Sequence, residues 1–272
     1  MKSLLNLIKC GPLTLSIKMT SPFVRTEILL GSDSMKRLSQ ATVAIFGLGG
    51  VGGYAAEALA RSGVGAFHLI DSDTVSFSNL NRQILATNKT IHKPKVDVAK
   101  ERILSINPKA QVTTFPVFYL PSTASQFDFT KYDYVVDAID TVAGKIQLVV
   151  QAQAASTPII SAMGCGNRMD PTKLSITDIY KTSMDPLSKI MRKELKKRRI
   201  KNLNVLWSSE EPILPERSLQ GAASPHGKAN PPGSTAFVPP AAGLAIASRV
   251  VLDITGFDPR QHTKSSQRDK SK

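Results

Sequence analysis

Cysteine and histidine are scarce: the 272 residues hold two cysteines, Cys10 and Cys165, and four histidines. No CxxC pair occurs, so neither a four-cysteine zinc site nor a disulfide framework is expected. A reducing compartment, the cytoplasm, is the default for such a chain. Acid is short as well. Lys and Arg number 35 against 21 Asp and Glu, a formal charge of +14, which suits a polyanionic partner. An unbroken apolar run of about 18 residues, the length of a membrane-crossing helix, is also missing. The most apolar late stretch, 236–257, is interrupted by Pro239, Pro240, Arg249 and Asp253, so no transmembrane helix and no membrane partner are expected. Residues 1–18 carry Lys2, Lys9 and Lys18 and no acid. The apolar stretch 4–8 is too short for a signal-peptide core, and arginine is too sparse for a transit peptide. These residues read as an extension ahead of Met19, expected to be disordered.

What is present is a chain with 42 % apolar residues and room for one α/β domain with a sizeable core. Short apolar runs at 42–46, 66–70, 111–115, 134–138 and 158–162 read as strands. Between them, 54–62, 95–106 and 141–156 carry helical spacing, the second stopped by Asn107-Pro108. Strands that are apolar throughout, alternating with helices, imply a mostly parallel, Rossmann-like sheet covered on both faces. Regularity falls after this. A strand is expected at 173–179, a basic helix at 189–201, a loop at 210–232 and a last helix at 241–254 behind Pro239-Pro240. The polar, basic tail 259–272 is expected to be disordered. The parse is one domain, 19–258, with a loosely built C-terminal third.

Gly47, Gly49 and Gly52 match G-x-G-x-x-G between a strand and a helix. The first permits a tight turn, the second lets backbone approach phosphate, the third lets helix pack on strand, and the helix N-terminus favours an anion. Asp71 ends the next strand about 20 residues on, where a carboxylate accepts from ribose hydroxyls. Asp73 is balanced between turn capping and a substrate contact. Asn79, Asn81, Arg82 and Gln83 form a donor-rich cluster suited to the spread negative charge of an attacked α-phosphate. Lys95 opens a helix after a proline, within reach of phosphate. Asp137 and Asp140 stand at the end of the fourth strand, on the edge that faces ligand in open α/β sheets. Mg²⁺ needs one or two carboxylates besides phosphate oxygens and water; Asp140 is the favoured ligand, and Asp137 is balanced between that role and capping the next helix.

The set GLGGVG, DSD, NLNRQ, KPK and DAID resembles the ubiquitin-activating-enzyme-like adenylating superfamily. Residues 25–31 (RTEILLG), 164–171 (GCGNRMDP), 177–179 (TDI), 185–187 (DPL) and 236–240 (AFVPP) are similar to its tRNA threonylcarbamoyladenosine dehydratase branch. The resemblance implies that Gly47, Gly49, Gly50, Gly52 and Asp71 hold adenosine. It assigns Asn79, Arg82, Gln83 and Lys95 to the triphosphate and Asp140 to its Mg²⁺. Arg25 would enter the ATP site of a second copy, making a homodimer functional. The implied chemistry is ATP-dependent closure of the threonylcarbamoyl group on tRNA to a cyclic hydantoin through an acyl-adenylate. Such a reaction needs no enzyme nucleophile, in keeping with few cysteines; Cys165 reads as a buried apolar residue. Sulfur-relay or cysteine-desulfurase proteins stand as possible partners that no residue here identifies.

With that enzyme class, the polyanion is RNA. Lys189, Arg192, Lys193, Lys196, Lys197, Arg198, Arg199 and Lys201 share their segment with a single acid, Glu194, a composition suited to tRNA phosphates. Three rivals stand beside this reading. An activator of a ubiquitin-like sulfur carrier is disfavoured by the missing zinc cysteines and the basic segment. A nicotinamide-dependent oxidoreductase gives no role to Asn81-Arg82-Gln83. A non-catalytic RNA-binding protein gives none to Arg82, Lys95 and Asp140.

Overall fold

A computed structural model describes residues 21–216 and 232–263. The expected extension 1–18, most of the 210–232 loop and the tail beyond 263 lie outside the described residues. Pro259–His262, inside the expected tail, forms a short 3-10 turn capped by Asp258.

Seven strands form one sheet in the order β3-β2-β1-β4-β5-β7-β6. They are β1 (Thr42–Phe46), β2 (Ala66–Ile70), β3 (Gln111–Phe115), β4 (Tyr134–Asp137), β5 (Ile159–Ala162), β6 (Leu174–Asp178) and β7 (Asn204–Ser208). All neighbours run parallel except β6, which lies antiparallel to β7 at the edge. The helices are α1 (Val24–Leu30), α2 (Ser32–Gln40), α3 (Gly52–Arg61), α4 (Lys95–Ile106), α5 (Val142–Ala154), α6 (Pro186–Lys197) and α7 (Val238–Thr255). The architecture is the α/β fold expected from the strand–helix alternation.

Period-two alternation divides β1 between two cores. Val43 and Ile45 join the cluster with α3, α4 and α7, whereas Ala44 and Phe46 face Tyr119, Phe127, Phe129 and Leu148. Both faces are apolar because both are covered. The central helix is α7, whose Val238, Ala242, Ile246 and Val250 are fully buried. Gly243 lets it approach α3: a Cβ there would lie 2.3 Å from the Val51 carbonyl oxygen. Its length and apolarity would suffice for a membrane crossing, but its buried face belongs to this core.

Several elements differ from the sequence pattern. α7 starts three residues earlier than expected because prolines at its first positions lose no hydrogen bond they would otherwise make. β7 has only three consecutive apolar residues, Val205–Trp207, too few to classify by periodicity, yet it completes the sheet between β5 and β6. The C-terminal third is thus more regular than its composition suggests. The basic helix spans Pro186–Lys197, preceded by the Asp185 cap, and ends before Arg199, which takes a left-handed φ of 57°.

Candidate active site

Strand order reverses between β1 and β4, which stay paired to their last residues, Phe46 with Asp137, so the chains that follow them leave on opposite sides and bound a crevice. The glycine loop after β1 enters it. Gly47 has φ +89°, and a Cβ there would sit 2.7 Å from the Ala138 carbonyl oxygen at the end of β4. A Cβ on Gly52 would lie 1.8 Å from the Gly47 oxygen, so the loop closes on itself only with glycine. α3 then starts with no side-chain cap, which leaves first-turn amides for an anion. This is a cradle that suits a nucleotide phosphate.

Asp71, at the end of β2, reaches the same loop. Its Oδ2 accepts the Leu48 N–H at 2.6 Å and its Oδ1 the Asp73 N–H at 2.8 Å. Burial pushes its carboxyl above the usual value, against the opposing pull of Lys95 and the two amides. Lys95 is 5 % exposed. Its Nζ lies 2.7 Å from Asp73 and 4.0 Å from Asp71. Asp73 is thus the nearer salt-bridge partner of Lys95.

The 79–83 loop closes the cluster. Gln83 is buried, its Nε2 nearest to the Cβ position of Gly49 and its Oε1 without a partner. The Arg82 side chain passes Gly50, with Cγ 3.6 Å from that glycine's Cβ position. Arg82 Nη1 donates to Ser78 O at 2.9 Å and to Asn81 Oδ1 at 2.8 Å, and burial lowers its pKa from the usual arginine value. Asn81 Nδ2 donates to Ser234 O at 3.0 Å. Asn79 holds the loop itself, since its Oδ1 takes the Ser76 N–H in a capping box.

The two aspartates after β4 separate sharply. Asp137 is fully buried and bound to buried Lys145 of α5 at 2.9 Å. It neither caps α5, whose N-cap is Thr141, nor faces solvent as a metal ligand would. Asp140 is exposed at the crevice edge. No cluster of three or more metal-ligating side chains occurs among the described residues, so a cation here would depend on Asp140 and phosphate oxygens.

Sequence reasoning did not single out two buried cations, Lys145 and Arg168. A lone lysine in the apolar run 142–149 was the available signal for the first. Cys165 is buried, and burial with Asp185 nearby pushes its thiol up to about 12, which rules out a thiolate nucleophile at neutral pH.

Two groups of expected site residues stand apart. Arg25 is exposed on α1, a helix with no buried residue. The basic segment is mixed: Lys189, Lys193 and Arg199 are exposed, as is Lys196, whose Nζ lies 5.9 Å from the Tyr180 ring centroid. Lys197 and Arg198 both pair with Glu194. Arg192 is tied to the Thr182 carbonyl and hydroxyl, and so serves the fold first.

A Rossmann-like sheet with a glycine turn, a buried carboxylate at the end of β2 and arginine, glutamine and lysine side chains beside it defines a nucleotide-binding class of fold. The chain belongs to the ThiF family, whose profile matches residues 24–264. It is 42 % identical over 242 residues to the tRNA threonylcarbamoyladenosine dehydratase of Bacillus subtilis (strain 168), covering 87 % of this chain and 95 % of that protein. It is similar to the crystal structure of the Escherichia coli tRNA N6-threonylcarbamoyladenosine dehydratase in complex with ATP. There the identity is 32 % and the TM-score 0.77, with 88 % of this chain and 96 % of that one covered. The molybdopterin-synthase adenylyltransferase of Escherichia coli (strain K12) is 40 % identical over 139 residues, about half of each chain.

Proposed function

We propose that this chain is an ATP-dependent tRNA threonylcarbamoyladenosine dehydratase. The observation that carries the reading is the single cluster of Gly47–Gly52, Asp71, Arg82, Gln83 and Lys95, held in the crevice by the contacts above. Full-length similarity to dehydratases, against half-length similarity to a carrier-protein adenylyltransferase, favours tRNA over a protein carrier.

A carboxylate is a poor electrophile because its leaving group would be oxide. In the proposed reaction a substrate carboxylate oxygen attacks the α-phosphorus of ATP, and pyrophosphate leaves. The ureido nitrogen next attacks the acyl carbonyl and AMP leaves, closing the ring. Nucleophile and electrophile sit in one modification, which gives a large proximity advantage. Arg82 and the loop amides stabilise the charge spread over the α-phosphoryl oxygens. Asp71 holds the ribose, and Lys95, neutralised by Asp73, keeps Asp71 in place. Asp140 would hold magnesium, which offsets phosphate charge when bound.

The exposed face of α6, with Lys189, Lys193 and Lys196, and Arg199 just past its end are assigned to the tRNA backbone. A second copy of the chain is assigned to α1, where Ile28 and Leu29 are 65 % and 72 % exposed and Arg25 projects beside them as the contribution to the partner's site. Action in the cytoplasm belongs to the same reading.

The test is incubation with ATP, Mg²⁺ and tRNA carrying threonylcarbamoyladenosine, followed by nucleoside mass analysis. Loss of one water from that nucleoside supports the assignment. Pyrophosphate exchange stimulated by a carrier protein with a Gly-Gly tail, and not by the tRNA, would replace it.

A further inference from the structure

One buried cation takes no part in the nucleotide cluster. Arg168 follows β5, is 2 % exposed, and its Nε and Nη1 have no hydrogen-bond partner. Among the described residues it forms no ion pair. The acids near it are otherwise engaged. Asp185 accepts Gly164 N–H at 3.2 Å, Leu187 N–H at 3.1 Å and the Ser188 hydroxyl at 2.6 Å. Glu210 accepts the N–H groups of Met169 and Asp170. A desolvated guanidinium with unmet donors is unfavourable, and an oxyanion from outside removes the penalty.

Topology indicates which oxyanion. The ribose carboxylate Asp71 ends β2 and the phosphate loop follows β1. Moving across the sheet in the same direction, β4 brings Asp140 and β5 brings Arg168. Strands lie about 4.8 Å apart, so β5 stands about 10 Å beyond β1, on the opposite side of the phosphate loop from Asp71. Arg168 lies six residues past Ala162, the last residue of β5. The neighbouring chain ties this region to the donor loop. Asn167 and Gly233 exchange two hydrogen bonds, at 2.6 and 2.8 Å, and Ser234 O accepts from Asn81.

We propose that Arg168 is the receptor for the substrate carboxylate, holding the threonyl oxyanion so that it faces the nucleotide. This deepens the dehydratase reading and rests on it. Because Arg168 is 2 % exposed, the carboxylate reaches it only when adjoining chain gives way; the segment 232–234, fixed by the bonds just named, is the nearest such chain.

The test uses the full chain, a non-hydrolysable ATP analogue and an anticodon stem-loop carrying the threonylcarbamoyl group either as free acid or as methyl ester. The wild type should bind the acid roughly tenfold or more tightly than the ester, the size of one charge-assisted interaction. In Arg168→Gln that preference should vanish, with ATP affinity measured without RNA unchanged. Arg168→Lys should retain part of the preference, and carries the test if melting shows that the glutamine variant does not fold. A wild type indifferent to esterification, or a folded variant that keeps the preference, overturns the proposal. Weakened ATP binding with the preference intact also overturns it and makes Arg168 a phosphate ligand. Failure of the wild type to convert modified tRNA is a separate outcome that removes the dehydratase reading itself.

Discussion

Replacing Lys145 by methionine removes one half of an ion pair whose members are 1 % and 0 % exposed and 2.9 Å apart. Methionine keeps the side-chain length but leaves Asp137 charged in a dry site. Its Oδ2 already lacks a partner, and its Oδ1 retains only the 3.3 Å bond from Ile139 N–H. Breaking a buried pair from one side costs about 3–5 kcal/mol. For a domain of this size, each kcal/mol lowers Tm by about 2–4 °C, so the expected loss is about 6–20 °C. The double variant Asp137→Asn/Lys145→Met removes both charges and should recover most of that loss, since exchanging a whole buried pair for neutral groups is often close to neutral. Thermal and denaturant unfolding of the four proteins in the cycle isolates the coupling. ATP affinity measured on the same set adds a second readout. Asp137→Asn should leave Mg²⁺-ATP binding largely intact, whereas Asp140→Asn should weaken it. A fall of less than 2 °C in the single variant, or a double variant no better than the single, would refute the desolvated pair. It would also reopen Asp137 as a metal ligand.

Arg82→Ala should lower adenylation by about 10²–10³-fold with melting unchanged, because the crevice is held by other elements; wild-type turnover would contradict its role. Lys189→Glu with Lys193→Glu should weaken tRNA binding, reduce its salt dependence and spare ATP affinity, and unchanged binding at moderate salt would reduce α6 to a solvated face. Cys165→Ala should keep wild-type turnover, since the thiol is protonated at every working pH; a hundredfold loss would make it a participant. Glu57 is driven up by burial but held below the usual carboxylate range by Arg102 and Arg61. A depressed carboxyl contributes stability in full above its unfolded pKa of about 4.3 and loses it as pH falls through the folded value. The stability gap between wild type and Glu57→Gln should therefore shrink as pH falls below that unfolded value, and a constant gap would contradict the pairing.

The nucleotide half was legible because local chemistry dictates it. Gly52 is required by a contact inside its own turn and Gly47 by its positive φ and the approach of Ala138; with Asp71 one strand further on, the motif spacing located all three. Lys145 was not legible although Asp137 lies only eight residues away, because nothing local says that β4 and α5 bury both charges; the unmet donors of Arg168 arise only once the fold is assembled. Asp73 and Arg192 show the same limit. Both carry the expected charge, yet the fold pairs Asp73 with Lys95 and Arg192 with Thr182. β7 escaped detection because three apolar residues between Asn204 and Ser208 carry no readable period. It became a sheet strand only through pairing with β5 and β6.

If the proposed function is right, a carboxyl group on RNA is activated by nucleotidyl transfer in this crevice. The sharpest check labels the substrate carboxylate with ¹⁸O and follows the isotope after turnover with ATP. One labelled oxygen is expected in the released AMP and none in pyrophosphate. Label appearing in inorganic phosphate, or AMP without label alongside cyclised nucleoside, would contradict that chemistry.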